Sequence, residues 1–180
     1  DLYKWQEECL QRWFSNNGRG IVQAVTGSGK TFLALTAASR LKKTLNQNLH
    51  IKIVVPTKAL MLQWDKALKK FLSDSDKDGE KKPNLQDKIG LRCGCFKYSP
   101  NHPYMIYVIN SARYELARQI LTELKRGEAV LLIADECHHY ESRQKQLIFE
   151  FLPNLEHSQD RYFSLGLSDT FPAWPSKNYL

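Results

Sequence analysis

Residues Thr26-Gly27-Ser28-Gly29-Lys30-Thr31 have the composition of a phosphate cradle. Glycines let a backbone curl so that successive N–H groups face an anion. A helix starting right after such a loop adds partial positive charge. In the spacing G-x-x-x-x-G-K-[ST], the lysine reaches the β- and γ-phosphates of a nucleotide and the hydroxyl ligates magnesium. The chain fits that spacing with Ala24 at its first position. A second group lies in "LLIADECHHY", residues 131 to 140, where an apolar run turns abruptly into acids and histidines. On a strand neighbouring the cradle, Asp135 can anchor magnesium directly or through water. Glu136 can polarise an attacking water as a general base. His138 keeps three readings: a metal ligand, a polar residue at a strand end, or a sensor of the γ-phosphate. Magnesium prefers oxygen, which disfavours the first. His139 is read as structural.

These residues need elements to hold them. Leu2, Trp5, Cys9 and Trp13 recur at helical spacing, which predicts a helix over 2–14. "SNNGRG" breaks it, and "GIVQAV" is a short strand feeding the cradle. "FLALTAASRLKKTL" is the helix that follows, and "HIKIVV" is a strand stopped by Pro56. Leu60, Trp64, Leu68 and Leu72 mark a helix over 57–72, with Leu60 and Trp64 in the core. Residues 73–88 are nearly devoid of apolar groups and are expected to form a solvated surface loop. Strands are expected at 89–96, "YMIYVIN", "EAVLLIAD" and "DRYFSLGLS", and helices at "SARYELARQILTELKRG" and "ESRQKQLIFEFL". This alternation predicts an α/β fold: one domain over residues 1–180, a mostly parallel sheet, and helices on both faces. Ligands of such sheets bind at the carboxyl ends of the strands, where both groups fall.

A length of 180 residues suits one domain with a sizeable core. The longest clearly apolar run, Ala129 to Ala134, is too short to span a membrane. "DLYKWQEECL" is not a secretory signal. The chain lacks an initiator Met, and we read it as a piece of a longer protein. A net charge of +7 is compatible with a polyanionic partner. Cysteines 9, 93, 95 and 137 do not resemble a disulfide framework and point to a reducing compartment. They contain no C-x-x-C pair, which argues against zinc.

Taken together, "AVTGSGKT" and "DECHH" resemble motifs I and II of superfamily 2 helicases and translocases of the DExH type. Other stretches agree in order. "LYKWQEECLQRW" resembles the adenine-recognition segment, "VVPTKALMLQW" motif Ia, "YVINSARY" the Ib-like region and "LGLSDTFP" motif III. The set is similar to the branch holding type I and type III restriction translocases and repair helicases. The resemblance implies a RecA-like P-loop NTPase lobe using ATP and magnesium. Gln6 would bond adenine, with Trp5 or Tyr3 stacking on it. Thr26, Gly27, Ser28, Gly29, Lys30 and Thr31 would hold ATP. Thr31 and Asp135 would hold magnesium, and Lys30 and Glu136 would act in catalysis. His138 would couple the site to Ser168 and Thr170. Thr57 and Lys58 would meet a nucleic-acid backbone at a helix start, with Ser111 and Arg113 as further contacts.

Two departures stand out. Asn110 replaces a frequent Thr, and motif III reads Ser168-Asp169-Thr170-Phe171-Pro172 where the family has Ser-Ala-Thr-Pro. Asp169 is expected to face solvent. The implied function is ATP-driven movement on nucleic acid, DNA more than RNA, in the cytoplasm or a nucleus. A second RecA-like lobe and its arginines would lie outside the chain, so the lobe alone would bind ATP and hydrolyse it poorly. One alternative is a P-loop enzyme of another class, such as a kinase; the motif Ia-like segment and the Asp-Glu-x-His box argue against it. Another is a nucleic-acid-binding module with a vestigial nucleotide site; the intact Lys30, Thr31, Asp135 and Glu136 argue against that.

Overall fold

A computed structural model of the protein describes residues 2–45, 48–75, 84–94, 101–137 and 160–169. Helix α1 (Lys4–Ser15) leads to strand β1 (Arg19–Gln23), and α2 (Lys30–Thr44) leads to β2 (Leu49–Val55). Helix α3 (Lys58–Ser75) and the short α4 (Leu85–Lys88) precede β3 (Ile89–Arg92). Strand β4 (Tyr104–Val108) runs directly into α5 (Ile109–Lys125), and β5 (Ala129–Ala134) and β6 (Tyr162–Ser168) follow. The strands form one sheet in the order β1-β6-β5-β2-β4-β3, and every pairing is parallel. This is the predicted α/β architecture.

Strand alternation explains the two layers. In β2, Leu49, Ile51, Ile53 and Val55 join one buried cluster, and Val54 joins the other. In β5, Ala129, Leu131 and Ile133 take the first face, and Val130, Leu132 and Ala134 the second. A strand buried on both sides needs such a continuous apolar run. Leu10 and Trp13 of α1, Leu33 and Ala37 of α2, and Met61, Trp64 and Leu68 of α3 cover the first face. Ala112, Leu116, Ile120 and Leu124 of α5 cover the second. The Trp13 indole N–H donates to the Ser164 carbonyl at 2.9 Å, tying α1 to β6.

Several boundaries differ from expectation. Strand β1 ends at Gln23, so Ala24 and Val25 already belong to the loop. Strand β4 ends at Val108, because Ile109, Ala112, Leu116 and Ile120 bury one helical stripe and draw Ile109 and Asn110 into α5. The expected surface loop 73–88 needs correcting at both ends. Helix α3 continues to Ser75, since Phe71 and Leu72 still pack on the core, and Leu85–Lys88 form α4. Strand β3 stops at Arg92. The helix expected over 141–152 lies outside the described residues.

Candidate nucleotide site

The carboxyl ends of β1, β6 and β5 lie side by side, and each carries one group of site residues. The acids are not on the strand next to the phosphate loop: β6 comes between, pairing with β1 on one side and β5 on the other. Ser168 ends β6, fully buried, in register with Gln23, and its carbonyl accepts the Ala24 N–H at 3.0 Å. Motif III thus holds the base of the phosphate loop through its backbone.

The loop itself has the curl its glycines permit. Gly27 and Gly29 have φ of 79° and 90°, a left-handed region that glycine enters without cost. A Cβ on Gly29 would come within 2.7 Å of the Gln6 Nε2. Helix α2 starts at Lys30, so Lys30 and half-buried Thr31 sit in its first turn, where unpaired N–H groups attract anions. The Lys30 ammonium donates to the carbonyls of Ala24 and Val25, the latter at 3.2 Å. The Ser28 hydroxyl oxygen is buried with no hydrogen-bond partner.

Gln6 supports the loop from behind. It is 1% exposed, its Oε1 accepts the Tyr3 N–H at 2.8 Å, and its Nε2 donates to the carbonyls of Ser28 at 3.4 Å and Gly29 at 3.2 Å. Both ends of the carboxamide are therefore engaged, and an adenine contact here requires one of these bonds to open. Tyr3 is exposed, while Trp5 packs partly on the core.

Asp169 does not simply face solvent. Its Oδ2 accepts the Thr26 hydroxyl of the phosphate loop at 3.0 Å. The register of β6 beside β1 brings the two together, and sequence spacing alone could not show it.

Asp135 follows directly on the last residue of β5 and is 8% exposed. Its Oδ1 accepts the Glu136 N–H at 3.0 Å, and its Oδ2 accepts the Trp64 indole N–H at 2.7 Å. Glu136 has φ of 51°, a conformation that costs a non-glycine residue about 1 kcal/mol or more and clusters at functional sites. Burial pushes the Cys137 thiol up to about 12, so it stays protonated beside these acids. Trp64 is the residue sequence reasoning placed only in the core. Its signal was available: a buried indole N–H needs an acceptor.

Thr57 and Lys58 lie exposed just past β2. The Thr57 hydroxyl accepts the Leu60 N–H at 3.2 Å, capping α3. Ser111 and Arg113 lie in the first turns of α5, past β4; the Ser111 hydroxyl donates to the Val108 carbonyl, and the Arg113 guanidinium stands 4.8 Å from the Tyr114 ring centroid. His138 and Thr170 lie outside the described residues. Among the described residues, no helix is long and apolar enough to cross a membrane.

The residues fit a magnesium nucleotide. The loop offers left-handed glycines, an unpartnered buried hydroxyl at Ser28 and a helix start. Thr31 and Asp135 carry hydroxyl and carboxylate oxygens, the hard donors that magnesium prefers.

The fold recurs in solved structures. The Pyrococcus furiosus Hef helicase domain matches at TM-score 0.62 and 17% identity, over 96% of this chain and 34% of that one. The Sulfolobus solfataricus SWI2/SNF2 ATPase core in complex with dsDNA matches at 0.60 and 17%, over 95% and 32%. The UvsW helicase of bacteriophage T4 matches at 0.61 and 17%, over 93% and 52%. The chain thus spans between a third and about half of these structures' lengths. No curated protein matches it. The family model described as "Type III restriction enzyme, res subunit" matches residues 1–173. With the phosphate loop, the Asp-Glu box and motif III brought to one sheet edge, the chain belongs to the family of type III restriction enzyme res subunits, within the superfamily 2 helicases.

Proposed function

We propose that this chain binds and hydrolyses ATP with magnesium and drives movement of a larger protein along DNA, in a reducing, intracellular compartment. One observation carries the reading: β6 sits between β1 and β5, so the phosphate loop, Ser168 and the Asp135-Glu136 pair share one sheet edge. Magnesium, if held by Thr31 and Asp135, would supply positive charge against the negative charge developing on the transferred phosphoryl group. The chain's own residues do the rest. The loop N–H groups and Lys30 hold anionic oxygens, and Gln6 keeps the loop in shape. Thr31 and Asp135 supply the metal's protein ligands. The Glu136 carboxylate takes a proton from water. His138 and Thr170 complete the coupling of hydrolysis to movement, together with Ser168. Thr57, Lys58, Ser111 and Arg113 meet the polynucleotide backbone. A second RecA-like lobe supplies arginines, and one arginine finger is worth roughly three to five powers of ten in rate.

Two features support DNA as the track, the restriction-enzyme family and the SWI2/SNF2 structure that was solved with dsDNA, while the net charge of +7 suits either polynucleotide. The test is Lys30→Ala in the full-length protein. DNA-stimulated ATP hydrolysis is expected to fall by at least about 100-fold, the scale of losing one charge-stabilising donor. The circular dichroism spectrum should stay unchanged. An unaltered rate overturns the reading. Stimulation by RNA and not by DNA overturns its DNA half.

A further inference from the structure

We infer that Trp64 is a positioning residue for the magnesium-holding carboxylate, and that it makes helix α3 part of the metal site. The inference rests on the reading of Asp135 as a magnesium anchor. Both oxygens of Asp135 are held: Oδ1 by the Glu136 N–H at 3.0 Å, and Oδ2 by the Trp64 indole N–H at 2.7 Å. Two donors on opposite oxygens fix the rotation of the carboxylate plane. Trp64 is 2% exposed, so water does not compete for the bond. The donor is also neutral. An ammonium or guanidinium there would cancel the charge that attracts the cation, whereas an indole N–H orients the carboxylate and leaves its charge in place.

Helix α3 is a stiff rod between two functions. It starts at Lys58, is capped by Thr57, and presents Met61, Trp64 and Leu68 to the sheet. Trp64 lies about two helical turns from the capped end. A polynucleotide phosphate settling on Thr57 and Lys58 would load this helix, and any slide or roll of the helix carries the indole N–H with it. The Asp135 carboxylate turns in response. Contact with the track and readiness of the metal site are then linked through one hydrogen bond.

The experiment uses the full-length protein labelled with 5-fluorotryptophan. The label is placed at position 64 alone by suppressing a stop codon introduced there, so its fluorine signal is assigned without any variant. In the wild type with a non-hydrolysable ATP analogue, that signal should shift as magnesium is titrated, and shift again on adding DNA. In Trp64→Phe, the magnesium concentration for half-maximal analogue binding should rise about 10-fold or more, the usual cost of losing a partner of a metal ligand. Metal-free analogue affinity should be unchanged. A Trp64 signal indifferent to magnesium, or equal magnesium half-saturation in the two proteins, overturns the inference. The fluorine measurement on the native sequence decides the matter if the variant does not fold. Absence of any magnesium-dependent nucleotide binding in the wild type removes the nucleotide reading as well; binding with an unmoved Trp64 removes this inference alone.

Discussion

Asp169 brings a carboxylate to a loop shaped for phosphates, and its Oδ2 accepts the Thr26 hydroxyl. Two effects oppose each other there. The hydrogen bond steadies the loop, while the negative charge repels a polyanion. The bond lies near solvent, so its stabilisation is small, and the repulsion should set the sign. A unit charge some 7 Å from a phosphate at water-like dielectric opposes binding by roughly 0.6 kcal/mol. Asp169→Asn keeps an acceptor for Thr26 and removes the charge. It should tighten nucleotide binding about threefold at low salt, with the gain shrinking as salt rises. Calorimetry at two salt concentrations checks both parts, and weaker or unchanged binding contradicts the repulsion. Lys30, Asp135 and Glu136 were legible in the sequence as candidates because short-range spacing marks them. The partners of Asp169 and Trp64, and the Gln6 bonds to Ser28 and Gly29, were not, because each joins residues far apart in the chain.

At the level of elements, β2 is the informative strand. It is buried at six of its seven positions, and one of the six is a lysine. Lys52 lies among the apolar residues of the second face with its ammonium 2.7 Å from the Glu123 carboxylate of α5, and both side chains are almost wholly inaccessible. Burial pushes the Lys52 pKa down, and the Glu123 charge opposes that shift. Gln119 donates to the same carboxylate oxygen at 3.1 Å, and the His50 Nδ1 stands 3.4 Å from it. Breaking such a pair costs more than forming it returns, because a charge is stranded. Lys52→Met alone should therefore destabilise the protein by about 3 kcal/mol in urea unfolding. The double change Lys52→Met with Glu123→Leu should recover most of that loss. If the double variant is as unstable as the single, the pair is not the source of the cost. Helical periodicity made α1, α2 and α5 legible in outline. The β4-to-α5 join was not, because no glycine or proline separates them and Ile109 suits either element. Lys52 was equally invisible, since a lysine in an apolar strand announces no partner.

At the level of the whole molecule, alternation of strand and helix foretold a parallel sheet with both faces covered. Strand order did not follow from alternation. Nothing local says that the last described strand inserts between the first and the fifth. That insertion makes β6 the only strand partner of β1 among the described residues. The Trp13 bond to Ser164 crosses the same junction and spans 151 residues of sequence. A variant ending at Arg161 would lack β6. It should retain far-UV dichroism from α2 to α5, yet expose α1 and β1 to protease and fail to bind a fluorescent ATP analogue. A truncated protein that binds the analogue as tightly as the intact chain contradicts this. The order of synthesis adds a consequence. The residues of the glycine-rich loop leave the ribosome ahead of the strand that seats them, which is made roughly 7 to 29 s later, at about 5–20 residues per second. Through that interval β1 lacks the one strand partner it has among the described residues. Chaperone capture or mispairing of the nascent chain is therefore expected at β1 and the glycine-rich loop that follows it, and codon-level slowing between β1 and β6 would lengthen the exposure.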